Sequence, residues 1–324
     1  MPRIPFFRRP LVLLILAMVA LLSVGAFASY ALLTWAPEEF PKGAIVTVPE
    51  GTSVRGAALL LEQQHAIYSS TVFTLLVRAA GDGIRAGAYL LEQPQGPYAL
   101  ALRLVQGDFG LAPMKLTFPE GITLKEMARI CERNLIGCSE ESFLEAAKGQ
   151  EGYLFPETYF FLPGTSAARV VEAMRAEFDK RTAALRTQAA ALGKPFDQIV
   201  VMASILEGEA STTRHRQEVA GVLWKRLSID MPLQVDAAFA YIIGKTTFDL
   251  TREDLAIDSP YNTYVNKGLP PTAINNPGID ALAAALTPTT SPYLFYLTGT
   301  NGVFYYARTY AEHLKNKARY LKMN

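Results

Sequence analysis

Histidine is scarce in this chain. His65, His215 and His313 stand far apart, and none has the HExxH-like or Cys/His spacing of a zinc site, so no metal is expected. Cysteine is scarcer still. Cys131 and Cys138 are close enough to close a small loop in an oxidising compartment, and two separate buried thiols fit the spacing equally well. An excess of charge is also lacking: 31 basic residues face 30 acidic ones, for a net charge of +1. That balance gives no basic footprint for nucleic acid, and no such partner is expected. No cofactor is expected either. What the chain has in quantity is hydrophobic residues, half of its 324, enough for a sizeable core and for two or three domains.

The longest uncharged stretch runs from Pro10 to Trp35. At about 1.5 Å per residue it exceeds the roughly 30 Å hydrocarbon core of a bilayer and can span it with some tilt. Arg3, Arg8 and Arg9 precede it, and Glu38 and Glu39 follow it. The positive-inside rule then keeps the N-terminus in the cytoplasm. Ala26-Phe27-Ala28 has the small-x-small form of a signal-peptidase site. The apolar run continues past it through Tyr30-Ala31-Leu32-Leu33, which favours a retained anchor. On either reading, everything after residue 40 lies outside the cytoplasm.

Beyond a linker, Val46-Thr47-Val48-Pro49-Glu50-Gly51-Thr52-Ser53-Val54 reads as a strand, a Pro/Gly turn and a helix start. Leu116-Thr117-Phe118-Pro119-Glu120-Gly121-Ile122-Thr123-Leu124 says nearly the same. With position 46 aligned to 116, Thr47/Thr117, Pro49/Pro119, Glu50/Glu120, Gly51/Gly121, Ala58/Ala128 and Glu62/Glu132 are identical. Two such units are too few for a solenoid and read as two small strand-turn-helix units. The first continues through a helix from Thr71, a strand near Ala86 to Leu91 and a helix from Tyr98 to Gln106, a β-α-α-β module suited to a glycan or to a spacer. Next, Glu151-Gly152-Tyr153-Leu154-Phe155-Pro156-Glu157-Thr158-Tyr159 is dense in aromatics and turn formers, fit to line a groove or simply to fill a core. An amphipathic helix opens at Ser166, buries Val170, Val171, Met174, Phe178 and Leu185, and stops at Gly193; a domain boundary is expected near it.

The stretch Ile199 to Leu206 is apolar on every side and ends in Glu207, Gly208 and Glu209. A helix hydrophobic all round belongs in a core, so a carboxylate in its last turn is delivered into a partly desolvated place. Desolvation raises a carboxyl pKa and makes a proton donor available near neutral pH. The same pattern also suits a carboxylate held at a helix end by an arginine or a backbone N–H. Helical steps of about 100° send Glu207 and Glu209 to different sides. Downstream, Leu233-Gln234-Val235-Asp236 is a short extended stretch with Gln234 and Asp236 on one side. Thr251 to Asp254 forms a capping box, Tyr261-Asn262-Thr263-Tyr264 and Gly268-Leu269-Pro270-Pro271 form a polar loop, a hairpin turns at Asn301-Gly302, and a last helix starts at Thr309-x-x-Glu312.

Taken in order, Ala203-Ser204-Ile205-Leu206-Glu207-Gly208-Glu209, Leu233-Gln234-Val235-Asp236, Tyr261 to Tyr264, Gly268 to Pro271 and Asn276-Pro277-Gly278 resemble the endolytic murein transglycosylase (YceG-like) family. The anchor, the Pro-Glu-Gly repeats and the Glu151 to Tyr159 stretch resemble it too, so the likeness covers nearly the whole chain. The chain departs from it at Gly208 and Ala210, where the family usually has Lys and Thr. The resemblance implies an α+β fold class: residues 1–9 as a cytoplasmic stub, 10–35 as a single transmembrane helix and 36–43 as a linker. A LysM-like β-α-α-β module would follow at 44–112, a second strand-turn-helix unit at 113–165 and a mixed α/β catalytic domain at 166–324.

It further implies a lytic transglycosylase of the bacterial inner membrane, with its catalytic domain in the periplasm. Such an enzyme cuts the β-1,4 bond between N-acetylmuramic acid and N-acetylglucosamine within nascent peptidoglycan strands and leaves 1,6-anhydro ends. Its expected partners are glycan strands, membrane lipid through the N-terminal helix, and peptidoglycan synthases. Glu207 would be the catalytic acid; Gln234, Asp236, Tyr261, Asn262, Tyr264, Glu151 and Tyr153 would orient the sugar or tune the acid. Two rivals remain at the level of sequence: a water-using glycan hydrolase that pairs Glu207 with Asp236 or Glu209, and a membrane-anchored glycan-binding protein with no catalysis.

Overall fold

A computed structural model of the chain describes residues 9–81, 83–245 and 249–321. Arg3 and Arg8, on which the expected orientation of the anchor partly rests, lie outside them. The apolar run forms one uninterrupted helix, α1 (Arg9–Thr34), which passes straight through the Ala26 to Ala28 site. Its 26 residues give a length of roughly 39 Å, enough to cross a bilayer.

The described chain mixes helices with three two-stranded antiparallel sheets, and it divides into two compact units. The first holds residues 1–113 with 162–164. Its folded part is β1 (Ile45–Val48), α2 (Val54–Gln63), α3 (Ser70–Ala80), β2 (Gly87–Leu90) and α4 (Pro97–Gln106). β1 and β2 pair from Ile45↔Leu90 to Val48↔Gly87, so the two helices fill the span between adjacent strands. Val46, Val48, Leu61, Phe73, Tyr89, Leu100 and Leu104 close its core.

The second unit holds residues 114–161 and 165–324. It opens with β3 (Met114–Thr117), α5 (Leu124–Asn134), α6 (Glu140–Ala146) and β4 (Thr158–Phe161), the strands pairing from Met114↔Phe161 to Thr117↔Thr158. The repeat seen in the sequence is thus a whole β-α-α-β unit in both copies, wider than a strand, a turn and a helix. In each copy the Pro-Glu-Gly turn needs its glycine: φ is +76° at Gly51 and +79° at Gly121, a region that disfavours other residues. A hydroxyl then caps the helix, Ser53 accepting from the Gly56 N–H and Thr123 forming a reciprocal box with Glu126. Cys131 and Cys138 are joined in a disulfide that ties the end of α5 to the approach to α6.

Next come α7 (Ala167–Ala191) and α8 (Phe196–Glu209). The first half of α7 buries Val170, Val171 and Met174 against the second β-α-α-β unit, while Phe178 and Ala189 belong to the core around α8. Each large apolar side chain buried this way contributes about 1.5–3 kcal/mol. One helix stitched into both cores is why residues 114–161 fold with the carboxylate helix. Every residue of α8 from Ile199 to Leu206 is buried, so the helix is a central rod with no solvent face there.

Around it lie α9 (Thr213–Ser228), α10 (Ala237–Ile243), α11 (Ile279–Leu286), the hairpin β5 (Phe295–Thr298) and β6 (Phe304–Ala307), and α12 (Tyr310–Tyr320). The box at Thr251 and Asp254 forms as read, but it heads only a short 3-10 turn over Asp254–Ala256.

Candidate active site

The last turn of α8 is a junction between two clusters. On one side Glu207 projects into a pocket of protein groups, its side chain only 6% exposed. One carboxylate oxygen accepts from Nη2 of Arg216, in the first turn of α9. The other accepts from the backbone N–H of Gly278 at 2.9 Å, at the N-terminus of α11. Arg216 is itself fully employed. Its Nε donates to the Ala210 carbonyl at 2.9 Å, an acceptor just past the end of α8, and its Nη1 to Asp280 at 2.7 Å. Asp280 also accepts from the Thr213 hydroxyl at 2.7 Å.

A third wall is the second Pro-Glu-Gly turn. A side chain at Gly121 would come within 3.2 Å of Glu207 Cγ, and a methyl on Gly278 would overlap the carboxylate of Glu120. Glu120 therefore brings an exposed second negative charge close to Glu207. These contacts act on the acid in opposite senses. Burial is the largest and pushes the Glu207 carboxyl up; the Gly278 N–H and the Arg216 cation pull it down, and Glu120 and Asp280 push it up again. Burial prevails, and the carboxyl stays above its ordinary range. The burial expected at Glu207 and the hold by an arginine and a backbone N–H occur together at this carboxyl.

Asn276 holds that wall in place. Its Oδ1 accepts from the N–H groups of Gly152 (3.0 Å) and Leu154 (3.1 Å), and its Nδ2 donates to the Ile122 carbonyl (3.1 Å) and to Glu151 (2.9 Å). Its backbone pairs with Gly121 and Ile122 at 2.9 Å each. One asparagine thus ties the Glu120 turn, the Glu151 to Leu154 loop and the chain leading to Gly278. Glu151 sits behind this frame and also accepts from the Leu124 N–H at 3.1 Å. Burial raises its carboxyl to about 7.

The other cluster lies against Gly208 and Glu209. Glu209 accepts from the Tyr296 hydroxyl at 2.8 Å and from the Ala237 N–H at 3.3 Å, and burial raises its carboxyl as well. It points away from Arg216, as the helical phase requires. Asp236 stands just before α10 without a side-chain capping bond, and its carboxylate accepts from the Tyr264 hydroxyl at 2.5 Å. Gln234 is exposed, at a positive φ of +48°, and its N–H donates to the Thr263 carbonyl at 3.0 Å. Tyr261 shares a hydrogen bond with Thr272 at 2.8 Å.

Asn262 is wholly buried, and its amide is committed to the Leu255 and Ile257 carbonyls and the Tyr264 N–H. It organises the loop and has no group left to reach a ligand, contrary to the expected sugar-orienting role. Tyr153 also falls away from the acid. It donates to Asp197 at 2.7 Å in the first turn of α8, ten residues before Glu207 and so roughly 15 Å along the helix. Gly208 allows α8 and α10 to touch, since a side chain there would meet Ala237 Cβ at 2.8 Å. Among the described residues no group of three or more His, Cys, Asp or Glu is arranged to hold a metal ion.

The profile of the YceG-like family matches residues 46–319. The chain belongs to the YceG-like family. It is 31% identical over 304 residues to an endolytic murein transglycosylase of Bacillus subtilis, covering 85% of this chain and 84% of that protein. It is 29% identical to an endolytic murein transglycosylase of Streptococcus pneumoniae, covering 94% of this chain and 64% of the longer relative. The crystal structure of a yceG-like protein from Listeria monocytogenes superposes with a TM-score of 0.59 at 30% identity, covering 84% of this chain and 98% of that one.

Within this YceG-like chain, Arg216, Asp280 and Glu120 are site residues that sequence reasoning did not single out. Glu120 had a signal, its place in the repeated turn, and Gly278 had one in the Asn276-Pro277-Gly278 motif. Arg216 had none, because it reaches Glu207 from a different helix.

Proposed function

We propose that this chain is an endolytic peptidoglycan lytic transglycosylase with Glu207 as its acid and base. The observation that carries the reading is the enclosure of the Glu207 carboxyl between a cation and a backbone donor, with burial prevailing over both. A group that must first give a proton and then take one needs a pKa near the working pH, which opposed influences supply. Glu207 protonates the glycosidic oxygen as the bond from the N-acetylmuramic acid C1 breaks. The resulting carboxylate takes the proton of that sugar's own C6 hydroxyl, whose oxygen closes on C1. The bond to the leaving sugar is exchanged for the 1,6-anhydro bond, the proton on Glu207 is restored, and no water is consumed. Arg216 and the Gly278 N–H steady the carboxylate between the two transfers. Glu209, bound to Tyr296 and Ala237, is turned elsewhere, and this favours a single-acid scheme over a two-carboxylate hydrolase.

In the same reading α1 is a membrane anchor with the N-terminus in the cytoplasm and everything after residue 40 in the periplasm. The first β-α-α-β unit is a LysM-like glycan-binding module, and the chain works beside the synthases from which nascent strands emerge. The test is Glu207→Gln in the full-length protein in detergent. Release of soluble fragments from nascent glycan should vanish while the melting curve is retained; release at the wild-type rate would remove Glu207 from the chemistry.

A further inference from the structure

Across α9 from the acid lies a cavity of about 480 Å³ that none of the groups described above occupies. Its walls are the outer face of the first turns of α9, the segment after α11, and β6. Arg214 and Glu218 stand four residues apart on that face and form an ion pair at 2.9 Å; Arg216, two helical steps from each, points the other way to Glu207. The cavity and the acid are therefore separated by about one helix diameter, roughly 10–12 Å. Between them α9 begins at Thr212 and Thr213, both exposed, so a chain can pass over the helix start from one to the other.

The cavity is lined by flat apolar faces. His215 stacks on Phe304 with centroids 4.3 Å apart, Phe304 on Tyr306 at 6.3 Å, and Tyr306 on Tyr293 at 5.6 Å, with interplanar angles of 24° to 29°. Tyr293 and Tyr306 are half-buried and line the cavity. A charged and hydroxylated rim surrounds these rings: the Arg214–Glu218 pair, the Tyr306 hydroxyl donating to Glu218 at 2.7 Å, and the threonine and serine loop at 289–291. Aromatic faces within a rim of hydrogen-bonding groups suit a ligand with flat C–H faces and polar edges, which is the chemistry of a pyranose ring. The volume lies within the roughly 300–1,000 Å³ of small-ligand sites.

We propose that this cavity is a distal sugar subsite that binds an N-acetylated pyranose of the glycan strand away from the bond being cut. It makes the enzyme prefer long strands, because a short substrate that fills the acid site cannot reach it. The inference rests on the glycan-cutting reading of Glu207.

The experiment compares the full-length protein with Tyr293→Ala, which removes a stacking face, and Thr290→Trp, which fills the cavity from an exposed loop. Each is assayed on long strands, on long strands stripped of their peptides, and on a tetrasaccharide. The ratio of kcat/KM on long strands to that on the tetrasaccharide should fall about tenfold in both variants, mainly through KM, and equally with or without peptides. An unchanged ratio in both variants would overturn the subsite. So would a fall seen only with peptide-bearing strands, since the occupant would then be peptide. If the wild type cuts nothing, the cleavage reading fails; retention on immobilised peptide-stripped strands, weaker for Thr290→Trp than for wild type or equal to it, then decides the cavity separately.

Discussion

The backbone N–H of Gly278 donates to a carboxylate oxygen of Glu207 at 2.9 Å, so the N-cap residue of α11 helps to set the charge of the last turn of α8. The bond favours the ionised form and is a leading opponent of burial at this carboxyl. Gly278→Pro removes the donor at a φ of −74°, which proline tolerates. The fold should survive, the Glu207 carboxyl should rise further, and the alkaline limb of the pH–rate profile, where the acid loses its proton, should move to higher pH. Gly278→Ala is the control. It keeps the N–H and displaces only the exposed end of Glu120, so a limb that moves equally in both variants would assign the effect to Glu120.

Arg216 is the only cation hydrogen-bonded to Glu207 among the described residues. Arg216→Met should leave a buried carboxylate without its partner and destabilise the protein by about 3 kcal/mol at neutral pH. The loss should shrink in acid, where a protonated Glu207 needs no cation. Urea denaturation at pH 5 and pH 8 checks the sign, and an equal loss at both would assign it to the other contacts of Arg216, with Asp280 and the Ala210 carbonyl, and not to Glu207.

Glu151 gives a second pH signature. Its folded carboxyl titrates at about 7 because of burial, against about 4.5 when unfolded. A raised folded value means that the stability it allows is complete below pH 4.5 and is lost as pH climbs through 7, about 3 kcal/mol in all. Glu151→Gln keeps an acceptor for Leu124 and Asn276 without the charge. The variant should match the wild type near pH 4.5 and exceed it at pH 8, read as melting temperature against pH. Parallel curves would mean that Glu151 does not titrate in this range.

Much of this was legible along the chain because it was local. The duplicated Pro-Glu-Gly turn, the capping residues and the all-apolar α8 are written in neighbouring residues, and the structure realises them. Long-range contacts were not legible. Nothing near Glu207 in sequence says that Arg216, Gly278 and Glu120 converge on it from three other segments. Asn262 misled because a polar residue in a polar loop reads as a ligand contact, when a buried asparagine serves equally well as a substitute for missing backbone partners. The two-core packing of α7 was not legible either, since an amphipathic stripe does not say how many cores it serves.

Glu209 and Glu207 share a helix turn but not an environment. Glu209→Gln keeps an acceptor for Tyr296 or for the Ala237 N–H, so activity on glycan should stay within about fivefold of wild type. A loss as deep as that of Glu207→Gln would bring back a two-carboxylate mechanism.

The central claim is that Glu207 alone serves as acid and then base, with the sugar's own hydroxyl in place of water. It is tested most directly by the mass of the fragments that the wild-type protein and Glu207→Gln release from nascent glycan. Wild type should release fragments ending in 1,6-anhydro sugars, each lighter by one water than a hydrolysed end, and Glu207→Gln should release none. Hydrated ends from the wild type, or anhydro ends from the variant, would contradict it.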